Sequence, residues 1–303
     1  MNLPIKEVVF VRLLFLSVLL GGCSQSTPDF EGKKAFACLE EQCRFGPRCP
    51  GSEGHEKARK YLLDKLSEQT NFTKTQDFVY FDQERSVKLE LTNIIASFYP
   101  DKKRRVLLCA HWDTRPFADQ DPDKGLRTKP IPGADDGASG VAVLLEIARV
   151  ISQKEPACGV DLVLFDGEDW GSEGNLDKYC LGSKHFAGIL GDYRPQYGIL
   201  LDMVGDRDLT VYREGYSSKY AKDLVDLVWS QASSLGLSCF KDSTKQFIYD
   251  DHLPLLGAGI PCIDLIDFDY PYWHTTSDTP DKCSPESLQK IGDLLIRILY
   301  RKS

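Results

Sequence analysis

A chain of 303 residues that is 42% hydrophobic and 27% charged carries enough apolar material for one large globular domain or two small ones, and is not composed like a disordered polymer. Its formal net charge of -8 and pI near 5.3, with no long Lys/Arg block, exclude nucleic acid as the main partner, because phosphate binding needs a basic surface.

The first residues, MNLPIKEVVFVRLLFLSVLLGGCSQS, place Lys6 and Arg12 ahead of the apolar stretch Leu13 to Leu20 and the small residues Gly21 and Gly22. This pattern predicts an export signal, too short to span a bilayer. LGGC resembles the bacterial lipobox, which implies removal of residues 1–22, a lipid on Cys23 and anchoring of the exported chain to a bacterial membrane. The alternative is an ordinary signal peptide whose cysteine is incidental. Residues 23–35 then read as a polar tether and residues 36–303 as a single catalytic domain. Nine further cysteines suit an exported chain in which disulfides form, although spacing assigns no pair and the odd number leaves one thiol over. No C-x-x-C pair occurs, which argues against a thiolate zinc site.

After the turn-rich RFGPRCPGSEG, residues 55–69 have the periodicity of an amphipathic helix. Short apolar runs then predict strands: FVYF near 78, LTNIIASF near 91, RVLLCAH at 105–111, VDLVLFDGED at 160–169, YGILLDMVG at 197–205 and PCIDLIDF at 261–268. Helical patterns fall at about 138–152, 217–235 and 285–301. This alternation predicts an α/β, three-layer architecture with a central mixed, mostly parallel sheet flanked by helices.

Polar residues follow the apolar runs: His111 and Asp113 in AHWDT, Glu168 and Asp169 in FDGEDWG, Asp202 in LLDMVG. In open α/β sheets ligands bind outside the carboxyl ends of the strands, so these groups are expected to meet in one crevice. GADDGASG adds Asp135 and Asp136 where a helix begins, IYDDHLPLL adds Asp250, Asp251 and His252, and YWHTTSDT adds His274. Imidazole and carboxylate without thiolate is the donor mixture of catalytic zinc. Asp202 is the sharpest single case, since an unpaired carboxylate inside an apolar run is costly to bury.

These six motifs, in this order over roughly residues 45–300, resemble the zinc aminopeptidase superfamily that also contains the glutaminyl cyclases. YDDHLPLLGAGIPCIDLI and YWHTTSDT, with Trp273 before the last histidine and a doubled acid before His252, are more similar to the glutaminyl-peptide cyclotransferases than to the peptidases. The resemblance implies a zinc-dependent exopeptidase-like fold and one zinc on Asp136, Asp169 and His274. It further implies Glu168 as general acid/base, Asp202 and Asp250 as an acidic network beside it, and Trp273 as a wall of the substrate pocket. In the aminopeptidases Asp136 would bridge to a second zinc on His111 and Asp202, with Asp113 orienting His111, so a second ion is not excluded. The implied substrates are peptides or proteins with N-terminal glutamine; the alternatives are a zinc aminopeptidase and a non-catalytic binding module. Two departures stand out: residue 169 is Asp where animal cyclases have Glu, and Asp264 stands where they have histidine.

Trp112 and Trp170, beside site motifs, line the pocket or pack in the core on this reading. His252 orients its loop rather than reacting, His55 and His185 are structural or exposed, and Asp135 caps the helix or supports the site from behind.

Overall fold

The computed structural model describes residues 29–172 and 174–301. The export signal, Cys23 and the first part of the expected tether lie outside the described residues. In chain order the elements are α1 (Gly32–Arg44), α2 (Glu53–Ser67), β1 (Thr73–Asp82), β2 (Val87–Phe98), β3 (Arg105–His111), α3 (Ala138–Gln153), β4 (Gly159–Phe165), α4 (Leu181–Gly188), β5 (Gly198–Asp202), β6 (Val211–Arg213), α5 (Gly215–Tyr220), α6 (Lys222–Ser234), β7 (Phe240–Thr244), α7 (His252–Gly257), β8 (Cys262–Ile266) and α8 (Pro285–Leu299).

Local chemistry accounts for several boundaries. Ser52 caps α2 by accepting from the backbone N–H of His55, and Ser284 caps α8 from Ser287, with Pro285 at the first helical position. The helix expected over 217–235 is two helices, because the chain leaves helical geometry at Ala221 (φ -135°, ψ 39°). Its first piece is set by Glu214, whose carboxylate accepts from the N–H groups of Tyr216 and Ser217.

The strand order is β1-β2-β4-β3-β5-β8, antiparallel at β1/β2 and β2/β4 and parallel across β3/β4, β3/β5 and β5/β8. Alternation along β3 sorts the two faces. Val106, Leu108 and Ala110 join the large core with residues of α1, α2, α3, α6 and α8, whereas Leu107 and Cys109 face a smaller one with Phe186 of α4 and Leu255 of α7. Helices therefore cover both faces, and the four parallel strands point their carboxyl ends the same way.

The expected tether is shorter than its assigned range. Phe30 is buried, its ring resting on Gly292 of α8 where any Cβ would lie 2.3 Å from it, and the Gly32 N–H donates to Gln289 Oε1 at 2.7 Å. The folded domain thus begins by residue 30 rather than 36, because the polar look of DFEGK hides one aromatic anchor. All nine described cysteines are free thiols. No described helix is long and apolar enough to cross a membrane.

Candidate active site

Three sheet strands and one helix start deliver the acids. β3 ends at His111, β4 runs into a 3-10 turn at Glu168–Trp170, β5 ends at Asp202, and Asp136 stands just before α3. Gly137, the residue capping α3, takes φ 99°; a Cβ there would sit 2.5 Å from the Asp113 carbonyl oxygen and 3.1 Å from the His111 ring, so only glycine lets the helix start this close to the His111–Asp113 loop.

Two buried carboxylates grip the ligand-bearing loops by their backbone. Asp113 accepts from the N–H groups of Glu168 (3.0 Å) and Asp169 (3.3 Å). Asp278 accepts from those of Asp135 (2.8 Å) and Asp136 (3.2 Å), and from the Tyr270 hydroxyl. Asp113, expected to orient His111, faces its Nδ1 at 3.6 Å, an ion-pair distance beyond hydrogen-bond reach, while the same carboxylate holds the loop N–H groups.

Asp136, Asp169 and His274 are all buried and place one ligand atom each within 4.8 Å of one another. His274 Nε2 lies 3.5 Å from Asp169 Oδ1 and 3.7 Å from Asp136 Oδ2. Asp119 faces His274 Nδ1 at 3.3 Å, and Arg115 bridges Asp119 and Asp169 at 2.6 Å each. Outer carboxylates that orient a ligand histidine are a usual companion of metal sites. Burial pulls the His274 pKa down, but Asp169 and Asp119 outweigh it and raise it to about 9; burial also works to raise Asp169, which Arg115 and His274 bring below its ordinary value. His274 itself has φ 55°, a conformation costly for a non-glycine residue and concentrated at functional sites.

This trio fits a zinc ion. Its donors are mixed N and O without thiolate, and Asp136 Oδ2 and Asp169 Oδ2 are buried with no hydrogen-bond partner. The alternative set, His111, Asp136 and Asp202, also converges within 4.8 Å. There His111 Nε2 is hydrogen-bonded to Asp202 Oδ1 at 3.2 Å and lies 3.2 Å from Asp136 Oδ1.

Beside the trio stands Glu168, whose carboxyl is pushed well above its ordinary value by burial and then by Asp169 and Asp250. The Cys180 thiol donates to its Oε1 at 3.4 Å. Asp250 is likewise raised by burial and by Asp202 and Asp251. All of these open on a cleft of about 360 Å³, within the range of small-ligand pockets, lined by Asp136, Glu168, Asp169, Asp202, Asp250 and His274 with Leu176, Tyr179, Phe247, Ile248, Phe268 and Trp273.

Among the tryptophans, Trp273 borders the cleft, its ring stacked on His274 at 3.7 Å between centroids. Trp112 does not. It is fully buried, stacks on His55 at 4.3 Å and donates to the Thr92 carbonyl, because the residue after His111 turns to the opposite side of the chain. Trp170 also points away, donating to Asp82 Oδ2 at 3.0 Å. Asp135 is no helix cap: Gly137 holds that position, and Asp135 Oδ1 accepts from the Gly205 N–H at 2.7 Å, tying the start of α3 to the loop after β5. His55 is a buried structural partner of Asp166 at 2.9 Å, and His185 stacks on Phe78.

The sequence reading missed Arg115, Asp119 and Asp278, although a lone arginine in HWDTRPFAD, beside a ligand motif, was a usable signal. It also missed Arg48, buried and donating to the carbonyls of Trp112, Pro132 and Gly133.

The model of peptidase family M28 matches residues 93–299. The chain belongs to peptidase family M28. Within this M28 fold it is 41% identical to Tannerella forsythia glutaminyl cyclase, covering 91% of this chain and 100% of that one, with a TM-score of 0.87. It is 38% identical to a Zn-dependent exopeptidase from Parabacteroides distasonis (91% and 100% covered, TM-score 0.88). Against the glutaminyl-peptide cyclotransferase of Bos taurus it is 25% identical over 286 residues, 82% of this chain and 76% of that protein.

Proposed function

We infer that this M28 protein is a glutaminyl-peptide cyclotransferase, converting N-terminal glutamine of peptides or proteins to pyroglutamate with release of ammonia. One observation carries the reading: the Asp136, Asp169 and His274 trio stands beside a buried glutamic acid that is not one of its members, in a chain 41% identical to a glutaminyl cyclase over that protein's whole length.

Asp136, Asp169 and His274 would hold one zinc, whose chemistry is to polarise the glutamine γ-carboxamide and stabilise the developing oxyanion. The substrate's α-amine nitrogen bonds to its own side-chain carbonyl carbon, and the C–N bond to the leaving nitrogen breaks. Glu168 accepts the proton the amine loses and returns it to that nitrogen, which departs as ammonia; a carboxyl raised towards neutrality suits both transfers. Because amine and amide belong to one residue, the protein's work is orientation, which the cleft and Trp273 provide. Asp202 and Asp250 support Glu168 as a neighbouring acid network. The N-terminal LGGC supports export and a lipid on Cys23, which would place this chemistry on the periplasmic or cell-surface side of a bacterial membrane; labelling with palmitate, lost in Cys23→Ala, tests it.

The zinc aminopeptidase reading is favoured by the second converging set, His111, Asp136 and Asp202. One assay separates them. Incubation with a Gln-initiated and a Leu-initiated peptide is expected to remove one ammonia, by mass, from the first alone and leave the second intact. Release of free leucine, together with two tightly held zincs by elemental analysis, would overturn the cyclase.

A further inference from the structure

The turn joining β1 and β2 lies far from the chemistry in sequence, yet it holds one wall of the cleft. Asp82, the last residue of β1, is fully buried. Its Oδ1 accepts from the N–H groups of Glu84 (3.1 Å) and Arg85 (3.2 Å) and from Lys178 Nζ (2.7 Å), and its Oδ2 accepts from the Trp170 indole (3.0 Å). Lys178 is itself buried and also donates to Glu84 Oε2 at 2.7 Å. Arg85 closes the join: it donates to the Trp170 carbonyl at 2.8 Å and lies over the rings of Trp170 and Phe117, 4.8 and 4.9 Å from their centroids.

What is gripped matters more than the grip. Trp170 and Lys178 are two ends of one excursion that leaves the Glu168–Asp169 turn and returns at Cys180, whose N–H donates to the Glu168 carbonyl at 2.9 Å. Between them the chain brings Gly174 and Leu176 to the cleft, and Tyr179 follows at once. Gly174 has φ 81° and open space where a Cβ would stand, and Leu176 is 52% exposed, so the excursion has little core of its own. A carboxylate that takes two of its four donors from 88 and 96 residues away supplies what packing does not.

We propose that Asp82 is a positioning residue for substrate binding: through Lys178 and Trp170 it holds residues 170–172 and 174–180 so that Leu176 and Tyr179 line the cleft together with Phe247 and Trp273. This rests on the cyclotransferase reading for the substrate used, but not for the structural readout. Asp82 touches neither the metal trio nor Glu168, so its loss acts on the fit of substrate rather than on the transfer of protons.

The test uses Asp82→Ala, Asp82→Asn and Lys178→Met in the whole domain, with a Gln-initiated peptide and amide hydrogen exchange. KM is expected to rise about tenfold, the size of losing roughly 1.4 kcal/mol of binding, with kcat within about threefold and zinc content unchanged. Exchange in residues 171–180 should accelerate by roughly tenfold while β3, β4 and β5 stay as protected as before. Asp82→Ala combined with Lys178→Met should cost less than the sum of the two single changes, because they share one contact. Unchanged KM and exchange would overturn the proposal. So would a fall in kcat and zinc content at constant KM, or faster exchange throughout the central strands, which would make Asp82 a support of the whole fold. Should Asp82→Ala fail to fold, Lys178→Met decides. If the protein proves instead to release leucine, the exchange result still stands or falls by itself.

Discussion

Two acidic clusters lie side by side in this protein, and they are held in opposite ways. Around Asp136, Asp169 and His274 the surroundings supply partners of both kinds: Arg115 donates to Asp169, the Asp278 and Asp113 carboxylates accept from the loop N–H groups, and Asp119 faces His274. Only one carboxylate oxygen on each of Asp136 and Asp169 is left unanswered, both within the trio. Around Asp250, His252 and Asp264, whose ligand atoms also converge within 4.8 Å, partners are sparser: Asp250 Oδ1 takes the Asp251 N–H, and His252 Nδ1 lies 3.9 Å from Asp264 Oδ2. Both oxygens of Asp264, both ring nitrogens of His252 and Oδ2 of Asp250 are buried without a hydrogen bond, and His252 Nε2 lies 3.2 Å from Glu214 without bonding geometry. Burial, then Asp250 and Asp202, push Asp264 well above its ordinary pKa. The contrast teaches how differently acid excess can be held. Where outer groups fix each carboxylate the excess is poised for a cation; where they are sparser, burial and neighbouring carboxylates push the carboxyls above their ordinary values.

The largest expected effects break the first cluster. Asp136→Ala should abolish both zinc binding and turnover, since it removes a ligand that no neighbour replaces. Glu168→Gln should lower kcat by about 10²–10⁴-fold, the usual worth of a general acid/base, while zinc content stays at the wild-type level. Elemental analysis beside the ammonia assay separates the two. If Glu168→Gln also loses zinc, Glu168 belongs to the trio and the division drawn here fails.

A smaller effect, of opposite sign, sharpens the second cluster. A carboxyl whose folded pKa is raised above its unfolded value of about 3.9 makes folding less favourable as pH climbs past that value, because the native state retains a proton the unfolded chain has released. Asp264→Asn removes this penalty, so it should stabilise the protein at neutral pH by about 1 kcal/mol, with the gain vanishing near pH 3. Denaturant melts across that range check it. Destabilisation at pH 7 would mean that Asp264 has a partner the cluster needs.

How much of this was legible in the sequence follows from the same physics. The sheet was readable because buried parallel strands are apolar runs, and the acids that converge on the cleft because a charge at the end of such a run is costly to bury alone; β3 falls on RVLLCAH residue for residue. The supports were not readable. Asp278 accepts from residues 143 and 142 positions away and Asp113 from residues 55 and 56 away, so their role exists only once the loops meet. Adjacency misled in the other direction: Trp112 and Trp170 neighbour site residues along the chain but turn to the far side, and Asp135, beside a ligand at a helix start, tethers a different strand's loop instead of capping. Phe30, alone in a polar stretch, gave no periodicity from which α1 and its docking could be read.

The smallest expected effect returns to the cleft wall and runs opposite in sign to Asp264. Burial works to raise Asp82, but the hydrogen bonds from Lys178 and Trp170 outweigh it and bring its carboxyl down to about 2. A depressed folded pKa gives stability that is present above the unfolded value near 3.9 and is lost as pH falls towards 2. Amide exchange in residues 171–180, corrected for its intrinsic pH dependence and referred to β3 and β4, should therefore accelerate between pH 4 and pH 2 in the wild type. In Asp82→Asn that local acid step should be absent, because the group that titrates is gone and the segment is already loosened. A step of equal size in both proteins would assign the acid sensitivity to Glu84 or another carboxylate and leave Lys178 without its decisive partner.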